Sequence, residues 1–153
     1  MQFEIRNAKL RDASSIASLI AYYSSNNLLL PRTAESVIEG IRNFIVADAG
    51  GEIIGCCAIA FFTEELAEIR SVAVDEKYRG QGVGKGLVAR AEEILKEEGI
   101  KDSFVLTYVE DFFSKIGYVK IDKSKFPQKI WRDCLSCPKI IQCDEIAMVK
   151  LLL

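Results

Sequence analysis

One stretch limits the fold more tightly than any other: Val72-Ala73-Val74, a polar turn Asp75-Glu76-Lys77-Tyr78, then Arg79-Gly80-Gln81-Gly82-Val83-Gly84-Lys85. An apolar run feeds a turn, the turn feeds a glycine-rich loop, and an amphipathic helix comes at once after it. Glycines at 80, 82 and 84 carry no side chain, so backbone N–H groups can approach a ligand closely. A helix starting there offers unpaired N–H donors and the positive end of its dipole. Arg79 and Lys85 add full charges beside the loop. Together these form a nest for a phosphate or pyrophosphate.

Two common phosphate motifs are excluded by spacing. The Gly-x4-Gly-Lys-Ser/Thr pattern of a P-loop is missing. The loop is not Gly-x-Gly-x-x-Gly, and the strands before it read as hairpins rather than as a parallel dinucleotide-binding sheet.

The rest of the chain reads as alternating strands and helices. Phe3 and Ile5 suggest a first strand. Asp12 is a candidate N-cap for a helix bearing Ile16, Leu19, Ile20 and Tyr23. Thr33 can cap a second helix with Val37, Ile38, Ile41 and Phe44 on one face. Gly50-Gly51 separates strands 44–47 and 53–61, a hairpin signal. Further strands are expected at 66–74, 104–108, 118–121 and 146–152, with helices at 84–98 and 112–116. The order is strand, two helices, three strands, helix, strand, helix, two strands. It predicts an α/β (α+β type) domain with a mostly antiparallel mixed central sheet flanked by helices. At 153 residues one domain over 1–153 is expected, with a Cys-containing excursion at 124–145 before the last strand.

Charge and composition narrow the function. With 22 acidic against 20 basic residues the formal net charge is −2, which argues against nucleic acid or an anionic membrane as partner. No apolar run approaches the roughly 20 residues that span a bilayer. The N-terminus lacks the pattern of a signal peptide, so a cytoplasmic location is expected. There is no histidine. Ser-His-Asp and Cys-His catalysis and a histidine base are excluded, and proton transfer falls to Glu, Asp, Tyr, Lys, Cys or water.

Arg79-Gly80-Gln81-Gly82-Val83-Gly84, preceded by the strand Ser71-Val72-Ala73-Val74 and an Asp-x-x-Tyr-Arg turn, resembles the signature of the GNAT acetyltransferase superfamily. The segment Phe112 to Tyr118 resembles that family's second cofactor segment, and the element order matches over nearly the whole chain. The resemblance implies acetyl-coenzyme A as donor. The amides from Arg79 to Lys85 would hold its pyrophosphate, and the backbone of Val72, Ala73 and Val74 would pair with the pantetheine arm. Phe113 would also lie on the cofactor. The implied reaction is direct attack of an amine on the thioester.

A narrower resemblance is to the acetyltransferase domain of N-acetylglutamate synthases, in short bacterial form without the amino-acid kinase domain. Residues 27–33, 67–74 and 104–107 leading into Phe112-Phe113 carry it. It implies L-glutamate as acceptor and a place in arginine biosynthesis. Glutamate brings two carboxylates, and Arg32 and Arg70 are the candidate partners because guanidinium binds carboxylate bidentately. Two-residue alternation would put Glu68, Arg70, Val72 and Val74 on one face of their strand, making Glu68 the candidate base. Many family members carry Tyr where Phe113 stands, as the acid for the leaving thiolate. Tyr108, Thr107 or water would have to substitute. Other readings are a different amine acceptor (a protein N-terminus, a polyamine, another amino acid) or a coenzyme A-binding sensor without turnover. Relatives often dimerise, and the apolar last strand is the candidate homodimer contact.

Cys134, Cys137 and Cys143 have the spacing of a partial metal site. A fourth ligand is missing, so zinc is not expected. Cys56 and Cys57 sit in an apolar strand and read as core residues.

Overall fold

The computed structural model describes residues 2–25, 32–123 and 145–152. The strands are β1 (Glu4–Asn7), β2 (Phe44–Ala49), β3 (Glu52–Phe61), β4 (Leu66–Val74), β5 (Asp102–Thr107), β6 (Val119–Lys120) and β7 (Ile146–Leu151). The helices are α1 (Ala13–Ser25), α2 (Ala34–Glu39), α3 (Val83–Glu97) and α4 (Glu110–Lys115). Their order is the one read from the sequence. The strands form a sheet in the order β1-β2-β3-β4-β5-β7-β6. β4 and β5 pair in parallel, whereas β1–β2, β2–β3, β5–β7 and β6–β7 are antiparallel. The sheet is therefore mixed and mostly antiparallel, as expected. The chain divides into two compact units, residues 1–60 with 69–94, and residues 61–68 with 95–153, so that β4 enters both.

In the first unit, Gly50 and Gly51 both have positive φ (63° and 101°) and make the two-residue turn between β2 and β3. Register pairs Phe44 with Ala58 and Val46 with Cys56. These four residues face one way, and α1, α2 and the 3-10 turn after α2 cover them with Ile16, Ile20, Tyr23, Val37 and Ile41. The alternate residues face α3. The Cys57 Sγ lies 3.7 Å from the Leu87 carbonyl oxygen. A Cβ on Gly55 would stand only 2.9 Å from Val83 Cγ1. Leu87, Val88, Ala91 and Leu95 are the buried stripe of α3.

Two local expectations are corrected. Asp12 does not cap α1. It ends a 3-10 turn, Leu10–Asp12, and its carboxylate accepts from Arg6 and from the Lys9 N–H. A guanidinium is a stronger partner than a helix amide. The second helix does not run on to Phe44. Gly40 ends it, a 3-10 turn spans Ile41–Asn43, and Ile38 is 48% exposed while Val37, Ile41 and Phe44 are buried.

In the second unit β5 is central, with Phe104 and Ala147 buried beneath Phe62, Leu66, Leu106, Ile121 and Val149. Ser103 and Tyr118 share a buried hydroxyl–hydroxyl hydrogen bond of 2.8 Å. Lys150 Nζ donates to the Ile116 carbonyl at 2.9 Å, closing the turn after α4.

Candidate active site

β4 delivers the chain to the glycine loop, and it is not a regular strand. Ser71 has φ 56°, in the left-handed region. Such a residue inside a strand re-aims the residues after it. The two-residue alternation from Glu68 to Val74 is therefore interrupted between Arg70 and Val72. Ala73 is packed into the core with α1, and Val72 and Val74 are half-buried.

The turn after β4 is built by its own polar groups. The Asp75 N–H donates to the Ile54 carbonyl at 2.8 Å, and the Asp75 carboxylate accepts from the Lys77 N–H at 3.0 Å. Glu76–Tyr78 winds into one 3-10 turn. Gly80 (φ 76°) and Gly82 (φ 82°) then take conformations that L side chains resist, and nothing stands within 4 Å of either Cβ position. The first α3 hydrogen bond runs from the Gly86 N–H to the Gly82 carbonyl at 3.0 Å. The N–H groups of Val83, Gly84 and Lys85 precede it and have no acceptor inside the helix. Gln81 and Lys85 are exposed, whereas the Val83 side chain is buried and contributes only backbone to the loop. Open Cβ positions, helix-start amides and the Lys85 charge are the features a pyrophosphate needs.

Arg79 is fixed from an unexpected direction. Its Nη2 donates to the Tyr23 hydroxyl at 2.8 Å, and its Cζ stands 5.4 Å from the Tyr23 ring centre. The Tyr23 hydroxyl donates in turn to the Val74 carbonyl. Tyr22 packs edge-on against Tyr23, centroids 5.1 Å apart, and its hydroxyl donates to Glu76 Oε2 at 2.8 Å. That bond to the carboxylate pushes the Tyr22 phenol above its ordinary range. Tyr78 reaches Glu52 at 3.0 Å. A groove of about 500 Å³ between Ser14, Ser18 and Tyr22 of α1 and residues Asp75 and Lys77 lies alongside.

The other candidates are spread over both units. Glu68 is 2% exposed, a carboxylate buried on β4 in register with Phe104. Arg70, two residues on, is half-buried. Arg32 precedes α2 and is folded back on it. Its Nε and Nη2 donate to the Ser36 hydroxyl and carbonyl, each at 3.2 Å, and its Cζ lies 4.9 Å from the Phe44 ring centre. In the second unit, Thr107 is 7% exposed and its Oγ1 accepts from the Val109 N–H at 2.9 Å. Tyr108 is half-buried. Phe113 is 4% exposed, packed between Phe112 and Tyr118 at 4.9 and 5.4 Å, so its ring is core. Cys134, Cys137 and Cys143 lie outside the described residues, as does the connector 26–31. Among the described residues no group of three or more Cys, Asp or Glu could hold a metal. Among them, too, no helix is long and apolar enough to cross a membrane.

A model of the acetyltransferase (GNAT) family matches residues 11–118, which include the strand, the loop and the whole of α3 and α4. The chain belongs to this family. As a GNAT protein it is an acetyl-coenzyme A-dependent N-acetyltransferase. It is 55% identical over 148 residues to an uncharacterized N-acetyltransferase of Chlorobaculum tepidum, covering 97% of this chain and 96% of the relative. It is 31% identical over 121 residues to an amino-acid acetyltransferase of Mycobacterium tuberculosis, covering 77% and 69%. Its fold is similar to that of N-acetylglutamate synthase from Neisseria gonorrhoeae, solved with coenzyme A and N-acetyl-glutamate. The TM-score is 0.90 at 24% identity, over 100% of this chain and 36% of that one.

Residue patterns alone do not reveal Tyr22, Tyr23 or Ser71 as part of this GNAT loop's support. The helical period marks Tyr23 as core-facing, which it is, but not that its hydroxyl reaches Val74 and Arg79. Nothing in the local sequence marks Ser71 for a left-handed backbone.

Proposed function

We propose that this acetyltransferase transfers the acetyl group of acetyl-coenzyme A to the α-amine of L-glutamate. The similarity to an amino-acid acetyltransferase over most of both chains carries the reading of the acceptor. Acetyl-coenzyme A supplies an acyl thioester. The loop amides of Gly80 to Lys85 and the Arg79 and Lys85 charges bind and orient its pyrophosphate. The β4 backbone at Val72–Val74 aligns the arm that bears the thioester.

The amine must lose a proton before it attacks. Glu68 is the group proposed to take it, directly or through one water, since the chain has no histidine and this carboxylate is buried on the cofactor strand. The new C–N bond forms, the C–S bond breaks, and the nitrogen gives up its second proton to water as the neutral amide forms. The leaving thiolate, a good leaving group because a thiol titrates near ~8.5, takes a proton from Tyr108, Thr107 or water. Arg70 and Arg32 are the cations proposed to pair with the two substrate carboxylates, since each guanidinium presents a planar fork of N–H donors that matches a carboxylate.

An acceptor panel followed by thiol release tests this. Release with L-glutamate, and none with D-glutamate or glutamine, is expected. Release only with peptides, polyamines or other amino acids would replace glutamate as the acceptor. Binding of coenzyme A with no release for any amine would make the protein a sensor.

A further inference from the structure

We propose that Tyr23 is a positioning residue for coenzyme binding, joining the end of the cofactor strand to the first residue of the glycine loop. The inference rests on the reading of Arg79–Lys85 as the pyrophosphate site.

A phenol has one proton to donate and lone pairs to accept with. Tyr23 spends its proton on the Val74 carbonyl, at the last residue of β4. It accepts from Arg79 Nη2 at 2.8 Å, at the start of the loop. Both bonds therefore go to the cofactor segment, and neither goes to the helix that carries the residue. Tyr23 is 9% exposed, so its ring already packs as core, and phenylalanine would fill the same volume. Burying a hydroxyl is unfavourable unless it is hydrogen-bonded, and here the bonds it makes span the short segment that leads into the loop. An oxygen that donates and accepts at once strengthens both bonds.

The neighbouring contacts act the same way. The Arg79 guanidinium stands 5.4 Å from the Tyr23 ring centre, within cation–π range. Tyr22 braces the Tyr23 ring edge-on and holds Glu76, inside the same segment, through its own hydroxyl. Arg79 is otherwise an exposed, rotamer-rich side chain. Held by Tyr23, it has its orientation set before the ligand arrives, which spares the ordering that binding would demand.

Calorimetric titration of coenzyme A into wild type, Tyr23→Phe, Arg79→Met and the double variant tests the proposal. Tyr23→Phe should melt close to wild type and bind coenzyme A about tenfold more weakly, the scale of one lost hydrogen bond to a charged group. The double variant should lose less affinity than the product of the two single losses, because each single change already removes the Tyr23–Arg79 bond. Affinity of Tyr23→Phe within twofold of wild type, or losses that multiply in the double variant, would overturn it. Should Tyr23→Phe not fold, hydrogen exchange of the 75–82 amides in Arg79→Met serves instead. Faster exchange than wild type is expected, and unchanged exchange overturns the proposal. Gly82→Val separates this from the loop reading. Unaltered coenzyme affinity in that variant overturns the pyrophosphate site itself. Weakened affinity there, with Tyr23→Phe unaltered, overturns only the role of Tyr23.

Discussion

Arg6 sets its two terminal nitrogens on the two carboxylate oxygens of Asp12, at 2.8 and 3.1 Å, while its Nε reaches Asp48 at 3.2 Å. One guanidinium thus ties β1 to β2 and to the turn that starts α1. The Arg6 bond holds the Asp12 carboxyl below its ordinary range, helped by the Lys9 N–H and opposed by burial. A carboxyl whose folded pKa is depressed contributes stability that is present above its unfolded value, near ~3.9, and is lost as pH falls through the folded value. Asp12→Asn should cost about 2 kcal/mol at pH 7. Urea unfolding at stepped pH should show the gap to wild type closing below about pH 4. A gap unchanged into acid would refute the linkage.

Gly55 lets α3 close onto β3. An added Cβ would meet Val83 Cγ1 at 2.9 Å, Leu87 Cδ1 at 3.0 Å and the Ala73 carbonyl oxygen at 3.3 Å. The two side-chain ends can shift, but the backbone oxygen of β4 cannot. Gly55→Ala should lower stability by about 1–3 kcal/mol, read as a shift of the denaturant midpoint. Because Val83 begins α3 at the loop, the KM for acetyl-coenzyme A should rise with it. A variant as stable as wild type would mean the packing relaxes without loss.

Glu68→Gln keeps the shape of the side chain and removes its ability to take a proton. If Glu68 is the base, kcat should fall by about 10²-fold or more, with coenzyme A affinity within about twofold of wild type. Steady-state kinetics beside a binding titration measures both. Undiminished turnover would remove Glu68 from the chemistry.

Burial pushes the Cys56 thiol up to about 12, and the Cys57 thiol is raised by burial too. The thiolate is the reactive form, so neither should be alkylated by iodoacetamide at pH 8 in the folded protein. Both should label after unfolding, as peptide mass spectrometry would show. Fast labelling at either position in the native state would contradict their placement in the core.

Much of this site could be read from local residue order. Strand, turn, glycines and the start of the amphipathic helix lie side by side in the chain between Val72 and Leu87, and each signal is a short-range property of backbone freedom or side-chain period. The missing histidine excluded a histidine base without any structure and left proton transfer to Glu, Asp, Tyr, Lys, Cys or water. The exceptions are informative. Gly40 ended α2 although the apolar spacing ran on to Phe44, because a local breaker outweighed the period. Asp12 was drawn from a cap to the guanidinium of Arg6, six residues earlier, because the 3-10 turn Leu10–Asp12 folds its carboxylate back onto β1.

The sequence by itself determined the order of elements and a glycine loop with positive-φ turns at the start of α3, since both arise from local pattern and steric freedom. Only the tertiary structure decided what holds that loop. The φ of 56° at Ser71, the burial of Glu68 and the bonds from Tyr23 to Val74 and Arg79 join groups up to 56 positions apart or depend on packing around them. A residue's own neighbours in the chain carry no signal of such partners, because the energy of these contacts exists only once the sheet and helices have closed around them.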